Sequence, residues 1–232
     1  DQMRDIGFYI TDFSSKRGFE CEDFDLLIKS GAVKIQDRSS HHSQPVKPIT
    51  NNPDATQIES AKSDSDFLER NQFIEYLKYQ DYKANPNLVR KIPDVKGVYA
   101  VVTYSNKVEF LNKGTGGFFK ERDPNVSNSV LQSNWVENAN ILYIGKAGGI
   151  SENGTESSST LRRRLNTYFK FGQGEPVGHW GGRLIWQLKD SDSLLFYWRP
   201  CRENENPVDL EHQLIAEFKK LHGKRPFANL KD

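Results

Sequence analysis

Glu211 is a carboxylate placed where carboxylates are costly. From Pro207 onward, Leu210, Leu214, Ile215, Phe218 and Leu221 fall on one face of a helix, and Glu211 falls inside the same arc, between Phe218 and Ile215. A carboxylate there must be paired or hold a metal ion. The bland alternatives are a first-turn acid favoured by the helix dipole and a partner for a core arginine. His212, beside it, points to solvent. A second cluster is Arg162-Arg163-Arg164, on a segment whose apolar stripe is Leu161, Leu165, Tyr168 and Phe169. Arg163 points outward. Arg162 and Arg164 flank the stripe on opposite sides, and periodicity does not choose between them. Tyr168 follows Arg164 by one helical turn, which makes the two neighbours. Such a run is either a solvated basic face or a phosphate site, because a guanidinium grips phosphate with two hydrogen bonds. Tyr99 and Tyr143 each stand in an apolar strand-like run, and either alone is an ordinary strand residue.

The elements that must position these groups follow from the pattern around them. Phe67, Phe73, Ile74, Leu77 and Leu88 predict helix within 66–90. Gly97 to Tyr104 is a β-branched and aromatic strand, with Val108–Leu111 as its expected hairpin partner. A Gly/Asn/Ser-rich loop from Gly114 to Asn134 precedes a second strand, Asn140–Lys146. After the polar loop Gly148–Ser159, the caps Ser159-Thr160 open a helix over Leu161–Phe171. Gly181-Gly182 break the chain before Arg183–Leu188. Ser193–Arg199 is apolar on both faces and is expected to be a central strand. Asn206-Pro207 open a last helix to about Leu221, which Gly223 and Pro226 end. No internal repeat is present. The order is that of an α/β domain of about 135 residues with three principal strands.

The chain has 232 residues and a mass of 26.6 kDa, enough for one large domain or a medium domain with an appendage. Its mean hydropathy is −0.72, but 14 Phe, 9 Tyr and 4 Trp supply a core. No apolar run reaches the roughly 20 residues of a membrane helix. The first ten residues, DQMRDIGFYI, carry three charges and do not read as a secretory signal. Two cysteines, Cys21 and Cys201, exclude a disulfide scaffold and a cysteine-based zinc site and fit a reducing, cytoplasmic setting. A net charge of +1 excludes a strongly basic nucleic-acid binder by bulk charge. Residues 1–96 hold 14 Lys+Arg against 16 Asp+Glu and the remainder 18 against 15, so a polyanion site belongs in the second part. Residues 1–36 read as a strand or two and a short helix. The stretch 37–65 reads as a polar linker or loop, in which His41-His42 is a solvated pair.

Taken in order, G-V-Y at Gly97–Tyr99, L-Y-I-G-K-A at Leu142–Ala147, L-R-R-R-L-x-x-Y-F at Leu161–Phe169, L-E-x-x-L-I at Leu210–Ile215 and P-F-A-N at Pro226–Asn229 resemble the GIY-YIG nuclease family, closer to its restriction branch than to its repair or homing branches. The resemblance covers Gly97 to Asn229 and implies a small antiparallel three-stranded central sheet flanked by helices at 93–232, with residues 1–92 as an accessory region for DNA contact or dimerisation.

By the same resemblance Tyr99, Tyr143, Lys146, Arg164, Tyr168, Glu211 and Asn229 are the catalytic set. Arg162, Arg163, Lys170 and Arg183 are the expected DNA-binding cations. The resemblance selects Arg164 over Arg162. Glu211 becomes the one protein carboxylate on Mg2+ (or Mn2+), Arg164 neutralises the scissile phosphate, and Tyr99 or Tyr143 orients or deprotonates the water. A neighbouring cation, Lys146, is expected to favour the phenolate. The departures are GVY for GIY, a long interval from Tyr99 to Tyr143, and an insertion holding His179 to Arg183. The expected function is metal-dependent DNA hydrolysis in restriction or genome defence, with DNA as partner and a homodimer compatible. The alternatives are an inactive DNA-binding module of the same fold and a repair or mobile-element nuclease. The four groups Tyr99, Tyr143, Arg164 and Glu211 are expected around an open, water-filled concavity.

Overall fold

All six residues of strand β2 (Gly97–Val102) are buried, which requires cover on both faces of its sheet. The computed structural model describes residues 64–105 and 108–231, all within the compact unit Asn52–Asp232. β2 lies between β3 (Ile141–Ala147) and β6 (Leu195–Pro200), and β1 (Glu75–Lys78) pairs with the far side of β6. Every pairing is antiparallel. Alternation along β2 sends Val98, Ala100 and Val102 to one face and Tyr99 and Val101 to the other. Helix α4 (Pro207–His222) packs on the first through Leu210, Leu214, Ile215 and Phe218. Helix α3 (Leu161–Gly172) packs on the second through Leu161, Leu165, Tyr168 and Phe169. Two short helices, α1 (Tyr79–Ala84) and α2 (Asn128–Asn134), and a ribbon of β4 (Gly149–Ile150) with β5 (Glu156–Ser157) complete the regular elements that bear on the site. Among the described residues no helix is long and apolar enough to cross a membrane.

The helix signals act as their chemistry requires. Thr160 Oγ1 accepts from Arg163 N at 3.3 Å, and Asn206 Oδ1 accepts from Val208 N at 3.4 Å with Pro207 in the first turn. Gly223 closes α4 at φ 72°, a left-handed conformation that costs glycine little.

Four expectations change. The sheet has four strands, because residues 75–78 pair with β6 instead of continuing a helix from 66 to 90. Val108–Leu111 is not the hairpin partner of β2, since both edges of β2 are taken by β3 and β6. Phe110 instead makes a single bridge to Leu188. The accessory region does not end at residue 92. Tyr79 and Tyr82 enter the core under α3, and Asp64 accepts hydrogen bonds from the backbone N–H groups of Asn140 and Ile141 at the start of β3 while meeting His222 Nε2 at 2.7 Å. Residues 64–92 therefore belong to the sheet domain. The loop expected from Gly114 to Asn134 contains α2. The elements expected in 1–36, residues 37–63 of the linker or loop expected at 37–65, Cys21 and the His41-His42 pair lie outside the described residues, and residues 64–65 are helical.

Candidate active site

The register of β2 on β3 sets Tyr99 opposite Gly145 and Val101 opposite Tyr143. Both tyrosines therefore share the face under α3, with ring centroids 5.9 Å apart. Gly145 makes room for the pair, because a Cβ there would lie 2.5 Å from Tyr99 Cζ and 2.6 Å from its hydroxyl. Tyr168 descends from α3 and completes the cluster, 6.3 Å from the Tyr99 ring and 5.9 Å from that of Tyr143. Tyr99 and Tyr168 are fully buried and Tyr143 almost so.

The charge of Arg164, one turn before Tyr168, acts on both Tyr99 and Tyr143. Its Nε is buried without a hydrogen-bond partner. Burial pushes all three phenols above their ordinary range, against the opposing pull of Arg164. The expectation that Lys146 favours a phenolate is corrected on this point. Lys146 follows Gly145 and so points to the opposite face of β3. There its Nζ pairs with Glu211 at 2.9 Å. The cation acting on the phenols is Arg164, and desolvation outweighs it.

Glu211 is thus paired, although its partner is a lysine from the sheet instead of a core arginine. Its side chain is 15% exposed and that of Lys146 33%, so the pair is reachable from solvent. Its charge is still felt at Tyr99, Tyr143 and Arg164, which brings the two faces into one electrostatic neighbourhood around the edge of β3. The C-terminal segment holds that edge. Asn229 accepts from Ile144 N at 2.9 Å and donates to Ile144 O at 2.8 Å, and Ala228 N donates to Leu142 O at 2.8 Å. Asn229 acts there as a sheet partner for a strand that would otherwise show unpaired backbone.

The four cations expected on DNA have different local partners. Arg162 donates to the Ile92 and Arg90 carbonyls and approaches Asp94, which makes it a clamp on the segment before β2. Arg163 is exposed. Lys170 lies 3.5 Å from Glu175. Arg183 stacks on Trp180, 4.6 Å from the ring centroid.

The expected open concavity is not present at the tyrosines. The segment 178–182 lies over them. Tyr168 donates to the Gly182 carbonyl at 2.6 Å, and a Cβ on Gly181 would meet the Tyr143 hydroxyl at 2.8 Å. Gly182 adopts φ 74°, and its bare Cα lets Tyr168 approach. His179, which sequence reasoning left without a role, is fully buried here, with Nε2 3.3 Å from the Tyr99 hydroxyl. The signal that could have found it is the spacing of Gly178, Gly181 and Gly182 around it, which marks close backbone approach. A cavity of about 680 Å3 lies elsewhere, between the β4–β5 ribbon and the segments before α3 and α4.

No group of three or more histidines, cysteines or acids suited to a metal is found among the described residues. A site for a hard divalent cation with several waters needs no such group, and the partly exposed Glu211 is compatible with one. Comparison with family models, curated proteins and solved structures finds no match to this chain.

Proposed function

We propose that the chain is a metal-dependent endonuclease that hydrolyses DNA phosphodiester bonds, in a restriction-like or genome-defence role. The observation that carries the reading is the meeting of Arg164 with the Tyr99–Tyr143 pair on one face of β3, with the carboxylate of Glu211 close enough to act on all three. Phosphodiester hydrolysis needs charge neutralisation on the phosphate, orientation of a water and a stabilised leaving oxygen. Arg164 supplies the first through a guanidinium whose buried Nε has a donor to spare. Tyr99 and Tyr143 orient the water as uncharged donors and acceptors, in keeping with their raised pKa values. Glu211 would hold a Mg2+ ion, which when bound stabilises the leaving oxygen. Lys146 must then release Glu211. Gly181 and Gly182 must withdraw from the hydroxyls for a substrate phosphate to reach them.

The test is incubation of the full chain with plasmid DNA, with a matched RNA, and with Mg2+ or EDTA. Nicking or linearisation of DNA that needs Mg2+ is the expected result. DNA that is shifted in a gel but left uncut overturns the enzyme in favour of a binding module.

A further inference from the structure

The chain between β2 and α2 ends in a loop whose two roots are tied together. Gln187, itself buried, donates through its side-chain amide to the Leu111 and Val126 carbonyls at 3.1 and 3.0 Å and accepts from Val126 N at 2.8 Å. Thr115 N donates to the Trp186 carbonyl at 3.0 Å, and Asn125 Oδ1 accepts from Gly114 N at 2.7 Å. Surface loops closed in this way hold their own shape and frequently carry function. At the tip the chain reverses over Phe119–Arg122, where Arg122 N donates to the Phe119 carbonyl at 3.1 Å. Both central residues, Lys120 at φ 51° and Glu121 at φ 60°, are left-handed. Glycine or asparagine makes such a turn at little cost, and lysine and glutamate do not.

Strain of this kind persists where the surroundings over-determine it. Here the ring of Phe119 packs so closely on Gly178 that a Cβ there would lie 3.2 Å from it, and Lys120 Nζ reaches over the same ring, 5.5 Å from its centroid. Gly117 N donates to the Phe171 carbonyl at the end of α3 at 2.8 Å, which fixes the chain just before the tip. Gly178 opens the segment 178–182 that lies over Tyr99, Tyr143 and Tyr168, so the tip is anchored beside the cover of the candidate active site. On this tip Phe118 is 48% exposed, with Lys120 and Arg122 exposed beside it. Asp123 is engaged by the Asn125 backbone N–H at 2.9 Å and by its amide at 2.6 Å, so the two cations outnumber Glu121 at the turn. A single exposed Phe is ordinary. A Phe held rigidly between cations at the mouth of a phosphate site is placed to meet a base.

We propose that the tip Phe118–Arg122 is a DNA contact: the Phe118 ring stacks on an unstacked base of the strand delivered to the site, and Lys120 and Arg122 take the flanking phosphates. An aromatic ring among cations is the chemistry that binds unstacked DNA. The choice of DNA as ligand rests on the nuclease reading, so binding and cleavage are measured separately. Binding is read on the full chain in EDTA, with a mixed-sequence DNA duplex carrying one mismatched pair, where unstacking costs least. Phe118→Ala should weaken binding by about 5- to 100-fold, the usual size for loss of a base-stacking ring, at an unchanged dependence on salt. Phe118→Trp should bind as the parent does. Arg122→Ala should weaken binding and reduce the salt slope by about one phosphate contact. Parental affinity in Phe118→Ala overturns the proposal, as does a Phe118→Trp variant as weak as Phe118→Ala, or a parent that binds no DNA. A chain whose binding depends on Phe118 but which cuts nothing with Mg2+ keeps the contact and loses the nuclease. A chain that cuts and binds DNA equally well with and without the Phe118 ring keeps the nuclease and loses the contact.

Discussion

Beneath α3, three phenols, an imidazole and a guanidinium crowd into a space covered by residues 178–182. At the edge of β3 beside α4, Lys146 and Glu211 form an ion pair that solvent still reaches. The two regions stand on opposite faces of one strand and treat charge oppositely. In the first, burial keeps the phenols and His179 uncharged, and a network of donors and acceptors fixes their directions. In the second, two full charges hold each other in a partly solvated setting, where exchange of Lys146 for another cation costs least. Direction is thus set by packing, and charge is left adjustable at the rim.

The comparison breaks first at the rim. Glu211→Gln should abolish Mg2+-dependent plasmid cleavage while DNA binding in a filter or gel assay persists, because phosphate contacts made elsewhere survive. A variant cutting within tenfold of the parent removes Glu211 from the chemistry. Next comes the cation shared by both regions. Arg164→Ala should slow cleavage by several orders of magnitude, as loss of preorganised charge at a reacting phosphate does. Arg163→Ala, on the exposed side of the same helix, should act weakly and through the salt dependence of binding. Comparable losses in the two variants would mean that the register of α3 on the sheet is not what positions the charge. A smaller effect is expected at the floor. Gly145→Ala must displace Tyr99, since the added carbon would lie 2.5 Å from its ring. Cleavage should fall about tenfold to a hundredfold, in line with a misplacement of the order of 1 Å. Steady-state kinetics at saturating DNA read this, and an unchanged kcat would show that Tyr99 tolerates movement.

How far the sequence carried this picture varies by element. Helices α3 and α4 were legible because their caps are local: Thr160, Asn206-Pro207 and Gly223 act within a turn of their own positions. β6 was readable as central because both faces of Leu195–Arg199 are largely apolar and both are covered. β1 was not legible. Phe73 and Leu77 are spaced as on a helix, and only pairing with β6, some 120 residues later in the chain, selects the extended form. The pairing of β2 with β6 was missed for the same reason, since Val108–Leu111 is near in sequence and β6 is not. Arg162 and Arg164 flank the stripe of α3 symmetrically on the helix alone. What separates them is the carbonyls of Arg90 and Ile92, which hold Arg162, and the phenols, which meet Arg164. The pairing of Lys146 with Glu211 needed the packing of α4 on the sheet, which no local pattern encodes.

The last contrast is one of stability and needs no substrate. Tyr99, Tyr143 and Tyr168 keep their protons in the folded chain above the pH at which free tyrosine loses them, about 10. Above that pH the unfolded chain sheds phenolic protons that the folded chain retains. Unfolding then releases protons, so stability is intact below about pH 10 and falls as the pH rises through the raised values, by about 1.4 kcal/mol per pH unit for each such tyrosine. Tyr168→Phe removes one of them. It should lower stability at neutral pH, by about 1–3 kcal/mol, because the Gly182 carbonyl loses its donor. Its alkaline slope should nevertheless be shallower than that of the parent by one tyrosine's worth. Glu211→Gln changes the rim and leaves the phenols covered, so its slope should match the parent's even if its stability does not. Urea unfolding at intervals between about pH 9 and pH 11.5 measures all three slopes. An unchanged slope in Tyr168→Phe would place that hydroxyl in water in solution, and with it the segment 178–182 off the site.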